Sequence, residues 1–308
     1  MDLVKTGTLQ SIKDCVSDTP CSEVELFTYA VYFNKPNVVE YLINQGVDVN
    51  AYIKGKYHPI HYAKGLVVLK QLISHGATVN ASVYGFTPLH CVVCPKLAKE
   101  LLDHGADVNA RDVSGNTPLH NIVNRYMAIP YFADYVEDRK KASSDDIVEV
   151  VRLIISHGAD VNATNDNGCT PLHNTGDPHV VELLLNNGAY VDALDVNFCT
   201  PMHYIDDPIS LELLITRDAN VNAVDDRRCT PLHYIKDLVC VKLLLDHGAN
   251  VNAVDNEGFT PLHNSTAELT QLLLDHGADP NIIDNYGDTA LSWSDTPSFY
   301  TITTTFFL

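Results

Sequence analysis

The stretch that decides the fold is Cys229 to Gly258, CTPLHYIKDLVCVKLLLDHGANVNAVDNEG. Thr230 has the chemistry of a helix N-cap, and Pro231 follows at the first helical position, where a missing N–H costs nothing. A short inner helix is therefore expected, with Leu232 and Ile235 on one face and an end near Asp237. A second apolar pattern runs through Leu238, Val241, Leu244 and Leu245, and Gly248 stops it in the left-handed conformation that glycine accepts without strain. From Asn250 the chain turns polar, and Asp255-x-x-Gly258 is a turn signal leading to the next Thr-Pro. The unit is helix, tight turn, helix, projecting hairpin.

The same frame recurs as HPIH at His58, as TPLH at Thr87, Thr117, Thr170, Thr230 and Thr260, as TPMH at Thr200, and as a worn TAL at Thr289. A helix-ending glycine keeps step with it at Gly46, Gly76, Gly105, Gly158, Gly188, Gly248 and Gly277, and Asp218 fills the remaining slot. Two markers in phase define an internal repeat, whose meaning must be settled before any single residue is interpreted.

Thr-Pro-Leu-His followed by VxLLLxxGAxVNA and DxxG resembles the ankyrin repeat family over about residues 23–291. The resemblance implies an all-α, ankyrin-like solenoid of helix-turn-helix units with short projecting hairpins. Residues 1–22 then form an N-terminal cap, residues 23–283 about eight repeats, and residues 284–308 a C-terminal cap or tail. One departure stands out. His173 to Gly188 and His233 to Gly248 are 15 steps apart, where the family unit has 18, so nearly a turn is missing at the junction between the helices. Short inner helices are expected. The spacing breaks again at Thr117 to Thr170, which places an insertion at about 125–146 carrying Tyr126, Tyr131, Phe132 and Tyr135. Ser143 and Asp146 have capping-box spacing where the outer helix resumes.

The 308 residues, 45% of them hydrophobic, are enough by length for two domains. The unbroken repeat points instead to one elongated array. A formal charge of −19 repels phosphate backbones and anionic membrane surfaces, so neither nucleic acid nor membrane is an expected partner. No run approaches the roughly 18 apolar residues of a membrane helix and no signal peptide opens the chain, so a cytoplasmic, monomeric protein is expected. Cys169, Cys199 and Cys229 share one repeat position, and units about 10 Å apart cannot bring their thiols within disulfide reach. Free thiols in a reducing compartment follow.

Most of the 14 histidines are repeat furniture. Seven belong to the motif (His61, His90, His120, His173, His203, His233, His263), and the resemblance gives them a structural hydrogen-bonding role between units. Five more (His75, His104, His157, His247, His276) precede the helix-ending glycine, where a histidine complements the negative helix end. No metal site is assigned. Cys91-x-x-Cys94 has the spacing of half a zinc site without a second half, and is read as packing on one face of the inner helix. The Cys169, Cys199 and Cys229 column is read as small, partly buried side chains, since a reactive thiol needs a nearby cation and only Arg227 and Arg228 offer one, to Cys229. No catalytic motif is present, so no catalytic residue and no cofactor is assigned.

Binding has more support. In a stacked array the informative residues are those that break the pattern on the exposed face. Phe198 and Arg228 replace hairpin glycines, and they lie near Tyr204, Tyr234, the acidic pair Asp206 and Asp207, and Arg227. Aromatic and arginine side chains are what binding hot spots favour. These residues, with Tyr126, Tyr131 and Tyr135 of the insertion, are the partner-binding candidates; drift in tolerant loops is the competing explanation. The function that follows is a non-catalytic protein-protein interaction module whose partner carries a basic patch. A host-directed adaptor of viral or bacterial origin, acting in the host cytoplasm, is the alternative. An enzyme completed by the insertion is a third, without positive support.

Overall fold

The computed structural model describes residues 23–52, 58–124 and 142–293. The chain folds as two compact units, residues 1–160 and 161–308. Both are helical, and the only β-pairing among the described residues is two isolated bridges, Val83 with Phe86 and Ile283 with Thr289. No helix among them is long and apolar enough to cross a membrane.

In the first unit α1 (Glu23–Tyr32) and α2 (Pro36–Asn44) form a full-length helical pair. A 3-10 turn at Pro59–Tyr62 precedes α3 (Leu66–Ser74), and α4 (Pro88–Cys91) precedes α5 (Pro95–Asp103). Then come α6 (Pro118–Val123) and α7 (Ser144–Ser156). Phe27, Leu42, Leu72, Leu89, Leu119 and Ile154 are sealed in its core. In the second unit short inner helices alternate with outer ones: 3-10 Pro171–Asn174 with α8 (Pro178–Asn186), 3-10 Pro201–His203 with α9 (Pro208–Ile215), and α10 (Pro231–Tyr234) with α11 (Leu238–Asp246). The 3-10 turn Pro261–Asn264 with α12 (Ala267–Asp275) and a last turn at Ala290–Trp293 complete it. Its core includes Leu172, Leu184, Met202, Leu211, Leu214 and Leu244.

The missing turn is visible directly, because inner helices of the second unit run only three or four residues. The inner helix after Thr230 stops at Tyr234, earlier than its apolar pattern suggests, and Ile235 is extended yet buried. Outer helices then restart on their own caps. Asp207 accepts from the Ser210 N–H at 2.7 Å, and Asp237 accepts from those of Val239 and Cys240, both at 3.0 Å. Ser143 caps α7 through the Asp146 N–H at 3.1 Å, as its spacing indicated.

Cys91 and Cys94 do not share a helix face. The backbone is already extended at Val92, where α4 has ended, and Pro95 disfavours helical backbone at the residue before it, so Cys94 is the extended N-cap of α5.

Three sets of hydrogen bonds join successive repeats within each unit. The first runs through the motif histidine. The Thr200 N–H donates to His203 Nδ1 at 3.0 Å, which leaves the ring proton on Nε2, 3.3 Å from the Cys229 carbonyl oxygen. His173 reaches the Cys199 carbonyl and His233 the Phe259 carbonyl in the same way, both at 3.2 Å. The second runs through the asparagine of each Val-Asn. Asn222 donates to the Gly248 carbonyl at 3.0 Å and accepts from the Asn250 N–H at 2.7 Å. The third joins hairpin tips, where the N–H groups of Val196, Asp226, Asn256 and Asn285 donate to the carbonyls of Asn167, Asn197, Arg227 and Glu257 at 2.9–3.0 Å. The histidines before the helix-ending glycines do what their position suggested: His75, His157, His247 and His276 each place Nδ1 2.8 Å from the carbonyl four residues back.

Burial favours the neutral form of five motif imidazoles. It lowers His61 to about 4 and lowers His173, His203, His233 and His263 in the same direction. The unfolded chain therefore binds more protons below its ordinary histidine pKa of about 6.5, and stability present above that pH is lost as pH falls toward the folded values. His61 alone contributes a loss of roughly 3 kcal/mol by pH 4. Urea unfolding at pH 7.5 and at pH 5.5, where most carboxylates are still ionised, is expected to show a clear fall in midpoint at the lower pH. An unchanged or higher midpoint at pH 5.5 contradicts this account.

Candidate partner-binding surface

The sequence candidates of the second unit divide into two groups. Tyr204 and Tyr234 are half-buried and turned inward: each phenol donates to a buried carboxylate nine residues back, Asp195 Oδ2 and Asp225 Oδ2, at 2.5 Å. The other oxygen of each carboxylate holds its own hairpin. Asp195 Oδ1 accepts from the Asn197 and Cys199 N–H groups at 2.8 and 2.9 Å, and Asp225 Oδ1 from those of Arg227 and Cys229 at 2.9 and 2.7 Å. Burial and the partner carboxylate both push the two phenols upward, so they stay protonated and donating. Arg227 joins this network, with Nη2 donating to the Tyr234 hydroxyl at 2.5 Å and the guanidinium carbon 5.7 Å from the ring centroid. Asp207 is the cap of α9. These four side chains have a structural task first.

The second group faces outward. Phe198 is 56% exposed, and Arg228 and Asp206 are exposed as well. Phe198 and Arg228 keep the left-handed backbone of the glycines they replace, with φ of 61° and 63°. At the matching Gly168 a Cβ would sit only 2.9 Å from the Val196 nitrogen, which shows how closely neighbouring hairpins approach in this slot. Tyr126, Tyr131 and Tyr135 lie outside the described residues.

A further set was not singled out by its sequence. Leu194, Val224, Val254 and Ile283 hold one register position, directly before the hairpin aspartate, and are 53%, 51%, 39% and 60% exposed. The signal was present, since they recur at 30, 30 and 29 residues. It is hidden because an isolated exposed aliphatic residue is ordinary on any surface. Charge also divides unevenly. Residues 161–293 carry 20 acidic and 5 basic side chains, against 18 and 15 in residues 1–160.

The cysteine column is inert in the ground state. Burial, reinforced by the neighbouring aspartates, pushes Cys169 and Cys229 up to about 12 and Cys199 to about 11; at Cys229 the opposing pull of Tyr234 and of Arg227, which donates to Tyr234, is outweighed. Iodoacetamide at pH 8 is therefore expected to modify these three thiols in the native protein far more slowly than in urea; equal rates contradict it. Replacing Tyr234 by Phe removes a donor from buried Asp225, and is expected to cost about 1–3 kcal/mol in urea unfolding. A neutral result would mean that the phenol does not hold the hairpin.

Family models for ankyrin repeats match most of the described residues. A model described as "Ankyrin repeats (3 copies)" matches residues 26–112 and 206–284, together more than half of the chain. "Ankyrin repeats (many copies)" matches residues 140–174, and "Ankyrin repeat" residues 167–196. Among curated proteins, the fowlpox virus (strain NVSL) ankyrin repeat protein FPV230 is 28% identical over 157 residues, 49% of this chain and 74% of its own. Among solved structures, the ankyrin repeat domain of Bcl-3, a member of the IkappaB family, aligns with a TM-score of 0.50 and 26% identity over 68% of this chain and 94% of that domain. Ankyrin repeats are protein-protein interaction modules, and this chain, with its capped Thr-Pro helices and stitched hairpins, belongs to the ankyrin repeat family.

Proposed function

We propose that the chain is a non-catalytic binding module whose second unit carries the main contact surface for a protein with a basic patch. The observation that carries this is the pair Phe198 and Arg228. A bulky residue in the left-handed region costs of order 1–3 kcal/mol, and both sit exposed at hairpin positions where glycine would remove that cost. Residues of these types gain their value when a partner buries them. The acidic excess of the same unit supports a basic complement, because opposite potentials speed encounter and reject wrong partners.

A host-directed role is the second reading, supported by the likeness to a fowlpox virus ankyrin repeat protein. On that reading the chain works in the host cytoplasm, where a column of cysteine thiols suits the reducing compartment.

Phe198→Gly with Arg228→Gly separates contact from scaffold. The double variant is expected to be more stable to urea by roughly 1–4 kcal/mol, two positive-φ costs of about 1–3 kcal/mol each offset by about 0.5–1 kcal/mol of backbone entropy per glycine. It is also expected to capture its protein partner at least tenfold less well than the parent chain at 0.15 M salt. Unimpaired, salt-insensitive capture would place the contact elsewhere.

A further inference from the structure

The outward row on the hairpins of the second unit has a period of its own, and the period selects a ligand. Packed helices lie 8–10 Å apart, so equivalent residues of successive repeats recur at roughly 9 Å. The tip-to-tip hydrogen bonds at 2.9–3.0 Å keep the hairpins in step from Asn167 to Asn285. Leu194, Val224, Val254 and Ile283 are therefore four exposed aliphatic side chains at equivalent positions of successive repeats, spanning about 27 Å over three steps.

A β-strand does not match this row. Its same-face side chains recur at about 6.7 Å, and every third residue points to the opposite face. An α-helix recurs at about 10.5 Å over seven residues, but its apolar stripe presents two anchors per heptad where the row offers one. The polyproline II conformation fits. Three residues per turn at about 3.1 Å rise bring one side chain to the same face every 9.3 Å, so ten residues reach from Leu194 to Ile283 with anchors at the first, fourth, seventh and tenth.

Charge specifies the residues between the anchors. Asp226, Glu257 and Asp288 are exposed on the same hairpins; Arg228 is exposed near Asp226, Arg227 is turned to Tyr234, and the surrounding unit has four acidic side chains for each basic one. We infer that this row binds an extended, polyproline II-like segment of a partner protein, with an aliphatic or proline side chain at every third position and lysine or arginine between. The inference rests on the second unit being the contact surface proposed above, and it supplies the chemistry of the partner. A preformed polyproline II segment also loses little entropy on docking, which suits a rigid, repeated surface.

The probe is fluorescein-labelled (Pro-Lys-Leu)4, measured by fluorescence anisotropy on the full chain. The control peptides are the same composition with leucines at alternate positions, and a helical heptad peptide of equal charge. The expected result is saturable binding of the every-third peptide, at least tenfold tighter than either control, and weakened at least fivefold between 0.05 and 0.3 M salt. Val224→Ser with Val254→Ser, both exposed positions, is expected to keep the urea midpoint of the parent and weaken the peptide at least tenfold. No binding of the every-third peptide, equal binding of the alternate-position control, preference for the heptad peptide, or a serine variant that binds like the parent each overturns the inference. If the Phe198→Gly, Arg228→Gly variant loses its protein partner while the serine variant retains it fully, the module reading stands and this row is not its contact.

Discussion

The bond on which the rest depends is the one made by the motif histidine. Its Nδ1 accepts from the backbone of its own cap, and its Nε2 donates to the hairpin carbonyl of the following repeat, as His203 does between Thr200 and Cys229. One small side chain thus ends a helix correctly and fixes the distance to the next repeat. The arrangement requires a neutral imidazole, because a protonated Nδ1 could not accept, and burial enforces that state. Each repeat alone is too short to bury its apolar face. Within each compact unit, the histidine bridge, the asparagine bridge and the hairpin ladder turn several inadequate repeats into an adequate core.

Shortening the inner helix makes these bridges more important. A three- or four-residue helix cannot sustain itself by its own hydrogen bonds, since nucleation alone fixes about that many residues. Pro201–His203 persists because Thr200 and His203 define its ends and Met202 is fully buried beneath it. The outer helices begin afresh, and the aspartates at 177, 207 and 237 supply the caps that a separate start needs. The acidic composition of the second unit is thus partly architectural.

What the sequence made legible follows from this. Thr-Pro-x-His, the helix-ending glycine and Val-Asn are local signals whose chemistry is complete within a few residues, so the helices, the turns and the glycine backbone were readable. The fate of Tyr204 and Tyr234 was not. Their phenols close onto carboxylates nine residues earlier, a contact that exists only once the hairpin folds back over the inner helix. Cys94 misleads for a similar reason: its helical spacing from Cys91 spans a junction where the backbone is already extended at Val92. The row Leu194, Val224, Val254 and Ile283 was invisible one residue at a time, since exposure belongs to the stack and not to the residue.

The positive-φ residues separate architecture from contact more sharply than exposure does. Five non-glycine residues among those described adopt this backbone: Asn34, Tyr84, Phe198, Asp218 and Arg228. Asn34 and Asp218 are of the small polar type that tolerates it, and both lie just beyond a helix, where the backbone must reverse. Tyr84, Phe198 and Arg228 are the bulky ones. All three lie in hairpins and all are exposed, Tyr84 by 67% and Phe198 by 56%. Where the fold alone decides, it takes glycine or the residues closest to it. Where bulk occurs in the same conformation, the side chain is exposed to solvent. That combination of local cost and outward display recurs on hairpins in both units, and it is the ground on which Phe198 and Arg228 are proposed as contact residues.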